Sequence, residues 1–161
     1  VNLSVAVVTV SDSVSAGTRV DHSGPAVAQR LAALKYHVLP IEVVPDERPA
    51  IAGMVQRLAD SGKVHAVFTT GGTGIAARDV TPEATRDVID REIPGIGELM
   101  RTKGREHIVT APLSRALAGS RGKVLVVNLP GSPRGAVESL DAMVELVPHI
   151  ADLLAGKTEH L

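Results

Sequence analysis

The chain has 161 residues with 17 basic and 18 acidic side chains, a net charge of −1, 44% hydrophobic and 22% charged residues; this is a globular composition long enough to bury a core, without a basic footprint for DNA or RNA. Aromatic residues make up 1%, Tyr36 and Phe68 alone, and Trp is absent, which excludes base-stacking recognition of single strands and aromatic cages. Cysteine is absent too, so disulfides, thiolate nucleophiles, cysteine zinc sites and iron–sulfur clusters are excluded.

Residues 3–10 (LSVAVVTV) are short, β-branched and apolar on both faces, the pattern of a buried parallel strand. A polar loop over residues 11–23 follows. Pro25 opens a helix to about Lys35, capped by Ser23 or Gly24, with Val27, Leu31 and Leu34 at helical spacing. Residues 37–44 (HVLPIEVV) form a second strand, which Pro40 assigns to an edge. Residues 49–60 form a helix with Ile51, Met54, Val55 and Leu58 on one face. Residues 64–69 (VHAVFT) form a third strand.

Thr81-Pro82-Glu83 starts a further helix, with Thr as cap, running to about Arg91. Residues 94–105 and 112–117 are expected to be helical. Residues 124–129 (VLVVNL) form the next strand, and Ser132-Pro133 caps a long final helix ending near Leu154. Residues 156–161 form a polar, frayed tail. Alternating strands and helices predict βαβ units, an α/β fold with a parallel sheet covered on both faces, and a single domain over residues 1–161. Residues 1–11 have no basic segment or cleavage pattern, and no run approaches the roughly 18 apolar residues that span a bilayer. A soluble cytoplasmic protein without membrane or nucleic-acid partners is expected.

Ligands of open α/β sheets bind beyond the carboxyl ends of the strands. Four such ends carry polar, acidic or glycine-rich residues: Ser11, Asp12 and Ser13; Asp46; Thr70, Gly71, Gly72, Thr73 and Gly74; and Asn128, Pro130, Gly131, Ser132 and Pro133. The glycines let backbone N–H groups turn toward an anion, and Thr70 and Thr73 add hydroxyl donors. The loop is neither a Walker A loop nor a dinucleotide fingerprint, and a tight turn is an equal reading on glycine content alone.

Asp46 and Asp79 are candidate Mg2+ groups, because that ion takes one or two carboxylates plus substrate phosphates. Taken singly, Asp46 also reads as a turn residue before Pro49, and Asp79 as an ion-pair partner of Arg78. Ser114 and Arg115 form a further polar pair suited to an anion. The histidines His22, His37, His65, His107, His149 and His160 lack metal-ligand spacing, and the basic run Arg101, Lys103 and Arg105 reads as a solvated face.

The run Val67-Phe68-Thr69-Thr70-Gly71-Gly72-Thr73-Gly74, followed after four residues by Asp79, resembles the signature of the MogA/MoaB family of molybdenum-cofactor biosynthesis, which includes the gephyrin G domain. The resemblance continues through Arg78-Asp79-Val80-Thr81-Pro82-Glu83-Ala84-Thr85, Leu113-Ser114-Arg115-Ala116 and Asn128-Leu129-Pro130-Gly131-Ser132-Pro133. Val10-Ser11-Asp12-Ser13, Ser23-Gly24-Pro25 and Val44-Pro45-Asp46-Glu47 also match family positions.

The resemblance implies a three-layer α/β/α domain with a mostly parallel central sheet. It implies Mg2+-dependent adenylylation of molybdopterin with ATP, releasing pyrophosphate. It further implies a homo-oligomer, commonly a trimer, serving a MoeA-type molybdate-insertion partner. Asp46 and Asp79 match the family's essential acidic positions and would place Mg2+, or Asp79 would orient the pterin phosphate. Ser114 and Arg115 match the pterin-side loop, and residues 128–133 a second ligand loop. Three alternatives remain: a MoaB-type paralogue that binds pterin or nucleotide without efficient adenylylation, a trimeric scaffold domain, and a generic nucleotide or phosphosugar binder with an α/β fold.

Overall fold

A computed structural model describes residues 2–158; the expectations for Val1 and for the end of the tail, residues 159–161, lie outside the described residues. The central strands are β1 (Ser4–Val10), β4 (Ala66–Thr70) and β7 (Val124–Leu129), and they lie side by side and parallel. Their alternation explains the continuous apolar runs. Val5 and Val7, Phe68, and Leu125 and Val127 face one core; Ala6 and Val8, Val67, and Val124 and Val126 face the other. A strand with both faces covered has no polar face to show.

The first core is closed by α2 (Ser23–Ala33), α5 (Pro94–Arg105), α6 (Pro133–Met143) and α7 (Val147–Leu154). The second is closed by α3 (Arg48–Asp60) and α4 (Thr81–Arg86). The result is the expected three-layer α/β/α arrangement. Beside β1 lie β2 (His37–Val38) and β3 (Glu42–Val44), both parallel to it; beyond β7 lie β6 (Ala118–Arg121) and then β5 (Arg91–Glu92), joined by antiparallel pairings. The sheet is therefore mixed, with a parallel centre.

Several local expectations are corrected. The strand over residues 37–44 is two strands, because Pro40 has no N–H to continue the ladder. The loop over residues 11–23 holds a short helix, α1 (Asp12–Ser15), whose N-cap Ser11 accepts a hydrogen bond from the Val14 N–H. In α2 the capping acceptor is neither Ser23 nor Gly24 but the Asp21 carboxylate, which receives the Gly24 N–H at 3.0 Å.

The helix beginning at Thr81 stops at Arg86, and Arg91 lies in β5. Pro94 keeps Ile93 out of the helical region, at φ −116° and ψ 81°, and the Asp90 and Ile93 N–H groups donate to the Ser120 and Ala118 carbonyls across the sheet. The hydroxyl of Thr81 does not cap; it donates to the Gly71 carbonyl at 2.9 Å from within the first turn. Residues 112–117 are not a helix: a 3-10 turn at Ala111–Leu113 leads into extended chain and β6. The final helix is split by a 3-10 turn at Val144–Leu146, because Pro148 cannot bond back to the preceding turn. Its start is as expected, with the Ser132 hydroxyl accepting the Gly135 N–H at 3.0 Å.

Candidate active site

Because β1, β3, β4 and β7 run parallel, their carboxyl ends share one edge of the sheet. Three ties bind the following loops together. The Asp12 N–H donates to Asp46 Oδ2 and the Asp46 N–H donates to Asp12 Oδ1, each at 2.9 Å. The Thr70 hydroxyl donates to the Pro130 carbonyl at 2.6 Å. The Gly71 N–H donates to the Leu129 carbonyl at 3.1 Å.

Glycine is required where these loops meet. Gly71 has φ +105°, and a Cβ on it would fall 2.3 Å from the Val10 carbonyl oxygen. A Cβ on Gly72 would fall 2.4 Å from Thr81 Oγ1 and 3.1 Å from Asp46 Oδ1.

Two cavities open at this edge, of about 470 Å³ and about 400 Å³. Gly72, Asp79, Gly131 and Ser132 line both, so the two adjoin along a shared wall of two glycines, a serine and one carboxylate. Thr73, Gly74, Ser114 and Pro130 line the larger cavity alone. Ser11, Asp46, Thr70, Gly71 and Pro133 line the smaller alone. These residues come from several different loops.

Six of the residues singled out in the sequence line neither cavity: Asp12, Ser13, Thr81, Glu83, Arg115 and Asn128. Ser13 shares a 3.2 Å hydroxyl contact with Ser11. Asn128 is fully buried; its amide donates to the Thr69 and Thr85 hydroxyls and accepts the Leu117 N–H. Arg115 is a strut. Its guanidinium donates to the carbonyls of Gly74 and Asp79, at 2.8 and 2.7 Å, and to both Glu83 oxygens, at 2.5 and 3.2 Å. Arg115 thus fixes the ends of the segment that presents Asp79. The Ala76 N–H adds a 3.0 Å bond to Asp79 Oδ2.

Arg78 pairs with Asp12 and not with Asp79, donating to both carboxylate oxygens at 2.6 and 3.0 Å. That pairing lowers the Asp12 pKa. The Arg115 bonds do the same for Glu83. Asp46 goes the other way: burial raises its pKa first, and the nearby negative charges of Asp12 and Asp79 add to it.

A carboxyl raised on folding binds more protons in the folded than in the unfolded chain, so its ionisation removes stability as pH rises through and beyond the ordinary aspartate range. Without divalent cation, Asp46→Asn should therefore melt above the wild type at pH 7. That difference should vanish as the pH falls below the ordinary aspartate range. Thermal melts across pH check this; a variant that melts below the wild type at pH 7 contradicts the account.

The cavities also use residues that no sequence signal marked. Arg101, assigned above to a solvated face, lines the larger cavity and donates to the carbonyls of Ser114 and Ala116. Glu138 and Ser139 join it from α6, and Arg19, Asp21 and His22 line the smaller cavity. The helical spacing that brings Gly135, Glu138 and Ser139 to the face of α6 that begins at Ser132 was available in the sequence. Nothing local marked Arg101. Both aromatic residues are buried in the core and line neither cavity.

Among the described residues no cluster of three or more His, Asp or Glu side chains forms a metal cage, and no helix is long and apolar enough to cross a membrane. The family described as "probable molybdopterin binding domain" matches residues 6–150. The chain is 41% identical to the molybdopterin adenylyltransferase of Helicobacter pylori strain J99, over 94% of this chain and 88% of that protein. It is 40% identical to the molybdopterin adenylyltransferase of Escherichia coli K12, over 96% and 86% respectively. Its fold superposes on the crystal structure of the molybdopterin biosynthesis enzyme MoaB from Thermus thermophilus with a TM-score of 0.89 and 46% identity, covering 96% of this chain and 98% of that one.

Proposed function

The chain belongs to the molybdopterin-binding domain family, and on that premise we propose that it is a molybdopterin adenylyltransferase, joining the terminal phosphate of molybdopterin to AMP from ATP. The observation that carries this reading is the pair of cavities meeting at one wall that bears Asp79 and glycine backbone. A transfer between two phosphorylated substrates needs two compartments whose anionic ends converge.

The larger cavity, walled by Met100, Ile108, Leu113 and Ala116, suits the fused rings of the pterin. The smaller, bounded by strand-end backbone and Asp46, suits the nucleotide. In the reaction a pterin phosphate oxygen forms a bond to the α-phosphorus of ATP, the bond from that phosphorus to the β-phosphate bridging oxygen breaks, and pyrophosphate leaves. Positioning and charge neutralisation supply most of such catalysis, and no covalent nucleophile is needed. Gly72 and Gly131 allow close approach of phosphate oxygens to the backbone. Arg115 holds the segment that sets Asp79 at the junction.

Mg2+ fits the donor set: Asp46 and Asp79 bring hard oxygen donors to one cavity, and the Asp46 pKa, raised first by burial and further by the charges of Asp12 and Asp79, marks a carboxylate that a cation would stabilise. Two carboxylates completed by substrate phosphates is this ion's usual requirement. When bound there, Mg2+ neutralises phosphate charge. The same reading makes the chain a homotrimer that passes its product to a MoeA-type partner; exposed Val43, Val109, Leu146 and Leu153, which line neither cavity, supply apolar surface for assembly.

Incubation with molybdopterin, ATP and Mg2+ is expected to yield adenylylated molybdopterin and pyrophosphate in equal amounts. Absence of product under conditions where a known molybdopterin adenylyltransferase turns over would sink the proposal.

A further inference from the structure

The larger cavity has polar groups of opposite sense away from the shared wall. Arg101, a pure donor, and Glu138, a pure acceptor, both line it between apolar residues. Glu138 lies six residues beyond Ser132, so its backbone stands about 9 Å along α6 from the wall where the substrates' phosphates are placed above. That span is comparable to the reach of a fused pterin ring system bearing its phosphate.

One oxygen of the Glu138 carboxylate is committed. Oε1 accepts from Arg134 Nε at 2.9 Å, and His107 Nδ1 lies 3.9 Å from it. Oε2 has no bonded partner among the described residues, although the side chain is only 22% exposed. No buried side-chain oxygen among the described residues lacks a partner, so Oε2 is accessible and free to take a donor from a ligand in the cavity that Glu138 lines.

We propose that Glu138 is the specificity-determining residue for the pterin, its Oε2 accepting from the adjacent N–H donors of the 2-amino-4-oxopyrimidine edge while Arg101 faces the 4-oxo group. The inference rests on the functional reading above and deepens it. Arg134 and the shape of α6 act as positioning elements: they hold Oε1, so that Oε2 is presented and not rotated away. A ligand with a 2-oxo group at the same edge places an acceptor against the anionic oxygen and is rejected. With no aromatic side chain available, ring recognition depends on this edge and on the aliphatic walls.

The experiment compares binding of pterin and of its 2-oxo counterpart, 2,4-dioxopteridine, as competitors of molybdopterin adenylylation by the full chain and by Glu138→Gln. The wild type should prefer pterin by about tenfold or more, the scale of a hydrogen bond to a charged group. In Glu138→Gln that preference should fall to about twofold or less, with the KM for molybdopterin raised and the KM for ATP unchanged. The unchanged ATP value shows that the variant is folded. A variant that discriminates as the wild type does, or a wild type with no preference, overturns the inference while leaving the adenylyltransferase reading intact. Adenylylation of molybdopterin that neither pteridine inhibits overturns the inference alone, and failure of the wild type to adenylylate molybdopterin overturns both.

Discussion

Asp79→Asn should reduce adenylyl transfer by more than about a hundredfold, the scale seen when a single group that stabilises transition-state charge is removed, while leaving the fold unchanged. The asparagine carbonyl oxygen can still accept the Ala76 N–H that the Oδ2 atom receives at 3.0 Å. The Arg115 bond to the residue-79 backbone carbonyl is also untouched. Only the charge at the wall common to both cavities is lost. Product formation in a single-turnover assay, with a melting curve alongside, separates the two effects; near-normal turnover would remove Asp79 from the mechanism. Asp46→Asn is expected to lose activity as well, yet to be the more stable protein at neutral pH, which would mark the charge pair around Asp46 as stability given up for function.

The largest stability effect is expected at Gly71→Ala, with a loss of more than about 3 kcal/mol. Two terms add. An L residue at φ +105° is strained by on the order of 1–3 kcal/mol, and the new Cβ would meet the Val10 carbonyl oxygen at 2.3 Å. That oxygen is backbone at the end of β1, a central strand of the sheet, and cannot swing aside. Gly17→Ala is the control: φ is +76°, but nothing lies within 4 Å of the added atom, so only the left-handed penalty of about 1 kcal/mol remains. In melting temperature the difference is at least about 8 °C for Gly71→Ala against about 3 °C for Gly17→Ala. Equal melting temperatures would show that the loop relaxes and that the close approach is not what selects glycine.

The parts of the fold legible in the sequence were those with strong periodic or apolar signals. β1, β4 and β7 read correctly because strands covered on both faces are continuous apolar runs. α3 and α5 read correctly because each carries a clear apolar stripe behind an early proline. β6 did not: Ala-Gly-Ser-Arg has no β-branched residue, and it is a strand because β7 and β5 pair with it. The end of α4 was misplaced because Val88 and Ile89 continue an apolar pattern past the point where the sheet captures the backbone.

At the site, proximity to strand ends identified the loops but not which side chains enter a cavity. Arg115 and Glu83 have the chemistry of anion and cation ligands, and the structure pairs them with each other. Asn128 follows the apolar run of β7 and looks exposed to a ligand, yet it satisfies three buried polar groups. Arg101 and Glu138 are the reverse case, charged residues on helices that resemble solvated faces until the packing of α5 against α6 encloses them. Side-chain direction and partner choice are decided by elements distant in the chain, and no local window contains them.

The margins of the sheet have a consequence for how copies of this chain can associate. One margin is broken at Pro40 into strands of two and three residues, and the other ends in a two-residue strand formed by Arg91 and Glu92, with Pro94 two residues beyond Glu92. Neither offers the long row of free N–H and C=O groups that a second chain would need to extend the ladder, and both carry residues that discourage such pairing. An association between copies of this chain would therefore have to use side-chain surfaces of helices and loops. Strand exchange and fibril-like growth are blocked at both margins, even though the strands between them are among the most hydrophobic segments of the chain.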